Sequence, residues 1–294
     1  LKALFLTTPT NDCSNHVRAF RSFAEADHHV MHSKGLAVDG EAMRVVREAR
    51  PDIVFYISAN QGPYALRVRT LRDIKAQVPI INLCSDAADR PWHAVLRRYA
   101  REECFTLQVA LDGAKHPAID ISTLTPVDPR PFAIAPVVRE VRCGFSGSVP
   151  PTSPRTQIMR ALEWFGGLTI RPRQAGDGYE DHAAFLKRCQ MVINTSWTGT
   201  GQAHHIKGRV LEAGMAGCAL LEMEGSPIGD WFPDDCYFMW RDAKEAEELI
   251  RRLGDGEIRK RASRLSEEVC RRYNARAIYT EIMEKAGVDI TVAG

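Results

Sequence analysis

The stretch His204-His205-Ile206-Lys207-Gly208-Arg209-Val210-Leu211-Glu212-Ala213-Gly214-Met215-Ala216-Gly217 concentrates side chains suited to a phosphorylated sugar. It reads as a short helix ending at a glycine and running into an apolar strand, Cys218-Ala219-Leu220-Leu221. His205, Arg209 and Glu212 follow one another at spacings of four and three, which predicts that they share one helical face. Ala213, Gly214, Ala216 and Gly217 let the other face sit close to neighbouring backbone. A cationic helix start suits phosphate and a carboxylate one turn later suits sugar hydroxyls, so the segment predicts a nucleotide-sugar site. His204 and His205 are adjacent and point in different directions, so they do not form a chelating pair and no metal site is expected. Lys207 offers phosphate a point charge and Arg209 a planar fork. The alternative for Arg209 is a plain ion pair with Glu212, worth ~0.3 kcal/mol if exposed.

These residues need strands and helices to hold them. Strand-length apolar runs at Ala3–Thr8, Ile53–Ser58, Pro79–Cys84 and Thr106–Leu111 alternate with helical patterns near 14–26, 64–76 and 92–101. That alternation predicts a parallel sheet with helices on both faces, a Rossmann-like domain over residues 1–135. Residues 125–140 contain Pro126, Pro129, Pro131 and Pro136 and are the natural linker. A second such domain is expected over 136–273, with strands at Arg142–Ser146, Leu168–Arg171, Met191–Asn194 and 218–223. Its helices are expected at Arg155–Phe165, Tyr179–Cys189 and Ala243–Leu253. The tail Glu257–Ala286 is helical in two stretches broken near Tyr273-Asn274. The expected architecture is α/β, two Rossmann-like domains facing each other across a cleft.

In open α/β sheets ligands gather at the carboxyl ends of strands. In the second domain the candidate loops are Ser146-Gly147-Ser148, with Arg155 behind it to pair with a diphosphate; Thr195-Ser196-Trp197 through Gln202, read as a mobile cover for a base or sugar; the His204–Arg209 opening; and Glu224–Ile228. A plain Gly-Ser turn and a plain surface loop remain the alternatives for the first two. Pro227 lacks an N–H, so the useful amides of the last loop are those of Gly225, Ser226 and Ile228. In the first domain the loops Thr7–Asp12 (leading to His16), Ser58–Gly62 and Ser85–His93 follow strands. A base is needed to take an acceptor proton, and Asp86, then His16 and Asp89, are the candidates. Helix capping is the alternative for both aspartates.

Composition narrows the field. The chain has 294 residues, 45% hydrophobic and 26% charged, with a formal net charge of +2. Near balance gives no claim on nucleic acid. No run of about 18 apolar residues predicts a membrane span. The start does not resemble a secretory signal. The eight cysteines are scattered without a C-x-x-C pair, so free thiols in a cytoplasmic protein are expected. The basic clusters Arg97-Arg98-Arg101 and Arg251–Arg264 are interleaved with acids and read as solvated faces. There is no G-x-x-x-x-G-K-[ST], G-x-G-x-x-G or G-x-S-x-G, against NTPase, dehydrogenase and hydrolase chemistry.

Arg209-Val210-x-Glu212-Ala213-x-x-x-Gly217, followed by an apolar strand and Gly225-Ser226-Pro227-Ile228-Gly229, resembles the donor-binding segment of GT-B glycosyltransferases. It is most similar to the CgeB-like, spore-maturation-protein-like group of family 1 glycosyl transferase domains, over roughly 141–275. The resemblance implies transfer of a sugar from a nucleotide-diphosphate sugar to an acceptor hydroxyl of a glycan, lipid, protein or small molecule, as in glycan or polysaccharide biosynthesis. It implies that Glu212 holds the ribose and that the turn at Gly225–Ile228 lies near the diphosphate or donor sugar. It also implies that a last helix, about 274–286, packs back on the first domain, and that Asp86 matches an aspartate often placed after this strand. No cofactor or metal is implied, because no Asp-x-Asp motif is present; Lys207, Arg209 and backbone amides would stabilise the leaving diphosphate. One position departs: where the wider retaining superfamily has a second glutamate, this chain has His204. Retaining and inverting courses both stay open, as do a non-catalytic nucleotide- or sugar-binding protein and a nucleotide-sugar epimerase.

Overall fold

The computed structural model describes residues 1–9, 14–57, 62–133, 138–147, 149, 153–165, 167–172 and 178–289. The chain divides into two compact units. The first comprises Leu1–Asp128, Thr198–His205 and Ala275–Gly294, and the second Pro129–Trp197 and Ile206–Asn274.

The first unit is built on six parallel strands: β1 (Ala3–Thr7), β2 (Ala26–Val30), β3 (Ile53–Ile57), β4 (Ile80–Cys84), β5 (Leu107–Ala110) and β6 (Ile121–Ser122), in the order β2-β1-β3-β4-β5-β6. Strands β1, β3 and β4 are buried along their whole length, as unbroken apolar runs in a sheet covered on both faces must be. The helices are α1 (Ser14–Phe20), α2 (Leu36–Ala49), α3 (Val68–Lys75) and α4 (Arg90–Arg101). Helix α2 adds to the helices expected from the sequence, with Val38, Ala42 and Val46 on its buried face at helical spacing. On edge strand β2, His28 bonds Thr7 Oγ1 at 2.9 Å and His29 bonds Glu41 at 2.7 Å, both structural contacts.

The second unit carries five parallel strands: β7 (Val141–Gly147), β8 (Thr169–Pro172), β9 (Cys189–Ile193), β10 (Ala219–Met223) and β11 (Tyr237–Trp240), in the order β11-β10-β9-β7-β8. Helices α5 (Pro154–Trp164), α6 (Tyr179–Lys187), α7 (Gly208–Ala216), α8 (Ala243–Arg252) and α9 (Asp255–Arg272) complete it. Helix α7 starts later than the sequence suggests, at Gly208, and stops at Gly217, whose φ of 66° takes the left-handed cap conformation. Strand β11 likewise adds to the strands expected from the sequence. No helix among the described residues is long and apolar enough to cross a membrane.

Two segments leave their sequence neighbours. Helix α10 (Ala275–Lys285) belongs to the first unit, where buried Tyr279 lies among Phe5, Phe20 and Phe55 and its hydroxyl donates to the His16 carbonyl at 3.1 Å. Thr198–His205, between β9 and α7, also belongs to the first unit.

Helix α7 packs closely on α9 because Gly214 has no side chain; a Cβ there would stand 2.6 Å from Val269 Cγ2 and 3.0 Å from its Cβ. Val269 is fully buried and cannot retreat. Gly214→Ala is expected to lower stability by about 1–3 kcal/mol through overpacking. A urea melt would show this as a lower midpoint at unchanged slope; an unchanged midpoint would mean that α9 gives way freely.

Candidate nucleotide-sugar site

The chain of the second unit passes from β7 to β8 on one flank and then to β9 on the other, so the strand order switches at the carboxyl ends of β7 and β9, the place where open α/β sheets form their ligand crevice. Arg209, in the first turn of α7, reaches both ends. Its Nη2 donates to the Ser146 carbonyl at 2.7 Å and its Nη1 to Asn194 Oδ1 at 2.8 Å, while the guanidinium lies 4.5 Å from the Phe145 ring centre. Gly147 makes room for it, since a Cβ there would stand 2.6 Å from Arg209 Nη2. Beyond the phosphate contact or the ion pair with Glu212 that the sequence suggests, its hydrogen bonds tie two strand ends together. Burial lowers its pKa to about 10, opposed by Glu212 and Glu222, and it remains cationic at neutrality.

Glu212, one turn on, bonds across to α6. Tyr179 donates to Oε1 at 3.3 Å, and His182 Nε2 lies 3.0 Å from Oε2. Burial alone would raise this carboxyl, but His182, Arg209 and Tyr179 outweigh it and hold it below the ordinary glutamate value. An ionised carboxylate only accepts, so His182 donates through Nε2, while its Nδ1 lies 2.9 Å from the Ser146 hydroxyl. The Glu212 side chain keeps 16% exposure.

On the other side of Arg209 a polar chain continues inward. Asn194 donates through Nδ2 to Glu222 Oε2 at 2.8 Å. Glu222 is wholly buried in β10, an otherwise apolar strand. Burial pushes its pKa up to about 7, against the opposing pull of Asn194, Ser226, Arg209 and Lys207. Sequence reasoning missed Tyr179, His182, Asn194 and Glu222 as site residues. A lone acid inside a buried strand was the one available signal.

The remaining expectations for this unit divide. Lys207 is half-buried at the cap position before α7. Arg155, on α5, lies near enough to Arg209 to lower its pKa, and burial lowers its own. Thr195 and Ser196 are fully buried and Trp197 packs on the core of the second unit, so the expected cover loop begins as packed structure. In the turn after β10, Gly225 has a φ of 86° and the Ser226 amide donates to the Met223 carbonyl at 3.2 Å. That amide, expected to face a ligand, is spent inside the turn, and the Ile228 side chain is core. Ser148 and the loops at 10–13 and 58–61 lie outside the described residues.

His204 and His205 do not share a helical face with Arg209 and Glu212, because α7 begins after them and both belong to the first unit. There His205 is buried with Nδ1 3.4 Å from Asp112 Oδ2 and 3.8 Å from Asp86 Oδ1. His204 has its pKa lowered by burial and by His205. Asp86, after β4, keeps a half-exposed carboxylate (51%). Asp89 occupies the cap position of α4 without capping it. Its carboxylate instead accepts from the Thr200 hydroxyl and, at 3.3 Å, the Thr200 amide, fastening the 198–205 segment. Asp112 accepts the Ala88 and Ala114 amides at 2.9 and 3.2 Å, a role with no local sequence signal. His16 is buried, its Nδ1 lacks a hydrogen-bond partner, and burial lowers its pKa to about 4, far below the range of an effective base at neutrality. Among the described residues no three His, Cys, Asp or Glu side chains are placed to hold a metal ion.

The Glu222 shift has a pH consequence. The folded protein keeps this proton up to about pH 7, whereas the unfolded chain loses it near the ordinary glutamate value. Stability from this group therefore declines as pH rises between those values and is level above. Glu222→Gln, which cannot ionise, is expected to melt higher than the parent at about pH 8, with the difference disappearing at about pH 5. A pH-independent difference in paired thermal melts would contradict the shift.

Comparisons with known proteins bear on the fold and the family. The chain aligns with a solved structure of Anabaena Alr3699/HepE in complex with UDP and glucose at 13% identity and a TM-score of 0.66, covering 98% of this chain and 99% of that one. A glycosyltransferase from Rickettsia africae ESF-5 aligns at 9% identity and a TM-score of 0.64, covering 97% of each chain. An α-glucosyltransferase in complex with UDP and a DNA 13-mer aligns at 11% identity and a TM-score of 0.62, covering 97% of this chain and 99% of that one. At these identities the likeness establishes the GT-B fold. No curated protein matches by sequence. Residues 135–284, half of the chain, match the model of a family described as glycosyl transferase-like, and α5 through α9 with the strands between them lie inside that span. The chain belongs to this glycosyl transferase-like family and is a glycosyltransferase of the GT-B fold.

Proposed function

We propose that this glycosyltransferase takes its sugar from a nucleotide-diphosphate donor bound at the strand ends of the second unit and passes it to an acceptor hydroxyl. The observation that carries this is the Arg209 tie between Ser146 and Asn194, flanked by a half-buried lysine, a second arginine and the Glu212 carboxylate. That set offers cations to a diphosphate and an acceptor to ribose hydroxyls. One solved relative by fold, Anabaena Alr3699/HepE, is seen with UDP and glucose and, in a second structure, with UDP-glucose.

Within this reading Glu212 binds the ribose. Two of its acceptor positions are taken by Tyr179 and His182, and a carboxylate has about four. Lys207 and Arg155 face the diphosphate, and Arg209 keeps the crevice in shape. Asp86 is the base that takes the acceptor proton in an inverting course; its exposure leaves it accessible and His205 stands beside it. Transfer of a hexose without a metal, membership of the CgeB-like subgroup, a role in glycan biosynthesis and a cytoplasmic location complete the proposal. The chain carries the Arg-Val-x-Glu-Ala segment of that group and lacks an Asp-x-Asp motif.

Incubation with a panel of nucleotide-diphosphate sugars and acceptors, in the presence of chelator, tests the reaction. Acceptor-dependent release of nucleoside diphosphate is expected; donor isomerisation would indicate an epimerase, saturable binding without turnover a binding protein, and loss of the rate to chelator a metal-dependent enzyme. Glu212→Ala is expected to weaken donor binding at least about tenfold with the fold intact, which corresponds to about 1.4 kcal/mol. Unchanged affinity by calorimetry would remove the ribose role. Asp86→Asn is expected to depress turnover far more than donor affinity, and full activity would exclude it as the base.

A further inference from the structure

We propose that binding of the donor drives a proton onto Glu222, making Glu222 a positioning residue that yields the charge of Arg209 and Lys207 to the donor diphosphate. This rests on the nucleotide-sugar reading and deepens it.

Glu222 is the penultimate residue of β10, directly before the Gly225 turn, and is completely buried. It is joined to Arg209 through one amide: Asn194 gives its N–H to Glu222 Oε2 and takes an N–H from Arg209 on its own oxygen. The other carboxyl oxygen, Oε1, has no hydrogen-bond partner, and neither has the Ser226 hydroxyl. Ser226 lies close enough to favour the charged form without completing a bond. A buried carboxylate with an unsatisfied oxygen is costly, and only nearby positive charge compensates it. The charged and titratable groups facing Glu222 are Arg209 from α7, Lys207 from the cap position before it and Tyr237 from β11, whose hydroxyl donates to Asp234 at 2.9 Å.

Those two cations are the ones a diphosphate would use or lie beside. When two phosphate charges arrive, Glu222 becomes a third anion competing for the same field, and like charge disfavours ionisation. Its carboxyl already titrates near neutrality, so a small push completes the change. The proton comes from solvent, adds to the carboxylate and leaves again when the nucleotide departs; no bond of the donor breaks in this step. Protonated at Oε1, Glu222 becomes a donor toward Ser226, so both unpartnered atoms gain a bond.

The test is calorimetric titration with UDP-, GDP-, ADP- and dTDP-glucose at about pH 7.5 in buffers of different ionisation enthalpy. These diphosphodiesters have no phosphate proton to exchange near neutrality. If binding raises the Glu222 pKa by about one unit, the parent protein takes up about half a proton per donor and its affinity falls about fivefold between pH 6 and 8. Glu222→Gln is expected to bind with no proton uptake and no pH dependence over that range. Donor binding with the same heat in every buffer, or a Glu222→Gln protein with undiminished uptake, would overturn the inference and leave the nucleotide-sugar reading standing. Failure of the parent to bind any of the four would overturn both.

Discussion

A single guanidinium organises the second unit. The strand connections run in opposite directions from the paired β7 and β9, and each of these strands ends in polar backbone and side-chain groups that need partners once buried. Arg209 answers both with one planar fork, resting its face on Phe145. Burying that charge requires anions nearby, and two are supplied, Glu212 along the helix and Glu222 through Asn194. Each anion then needs its own support. Glu212 acquires Tyr179 and His182, and His182 returns to the Ser146 hydroxyl, so the network closes on the residue where it began. Glycine at 147 follows from the same demand, because any side chain there would occupy the space of the guanidinium.

This closed arrangement explains why the two carboxylates differ. Both lie within the field of Arg209, Glu222 fully buried and Glu212 partly so. Glu212 has three groups donating to it or attracting it and stays ionised. Glu222 has one completed hydrogen bond and an oxygen left over, and desolvation wins. Hydrogen-bond completeness, more than distance to the cation, separates a permanent anion from one that changes state near neutrality.

Much of the fold was readable from residue order. Unbroken runs such as Ile53–Ile57 and Ile80–Cys84 announce central parallel strands, and the break at Tyr273-Asn274 marks where α9 ends and α10 begins. Arg209 and Glu212 were legible as site residues because their spacing is local. His182 was not, since its partners lie 30 and 36 positions away and only the sheet order brings them together. The misplacement of His205 has the same origin: helical spacing continues back from Arg209 through it, but the 198–205 segment is fastened to Asp89 and Asp112 instead. Long-range tertiary bonds overrode a local pattern. Helix α2 has no side-chain N-cap and carries Gly40 in its interior, so its pattern is weakly marked in the sequence.

The placement of helix α10 bears on how the molecule comes into being. Tyr279 fills the space among Phe5, Phe20 and Phe55, three aromatic side chains from the opening fifth of the sequence. Translation delivers those three rings first and Tyr279 only after every residue of the second unit has emerged. The aromatic centre of the first unit therefore stays open until residues 275–285 have been made, after the whole of the second unit. The half that is written first is the half that finishes last.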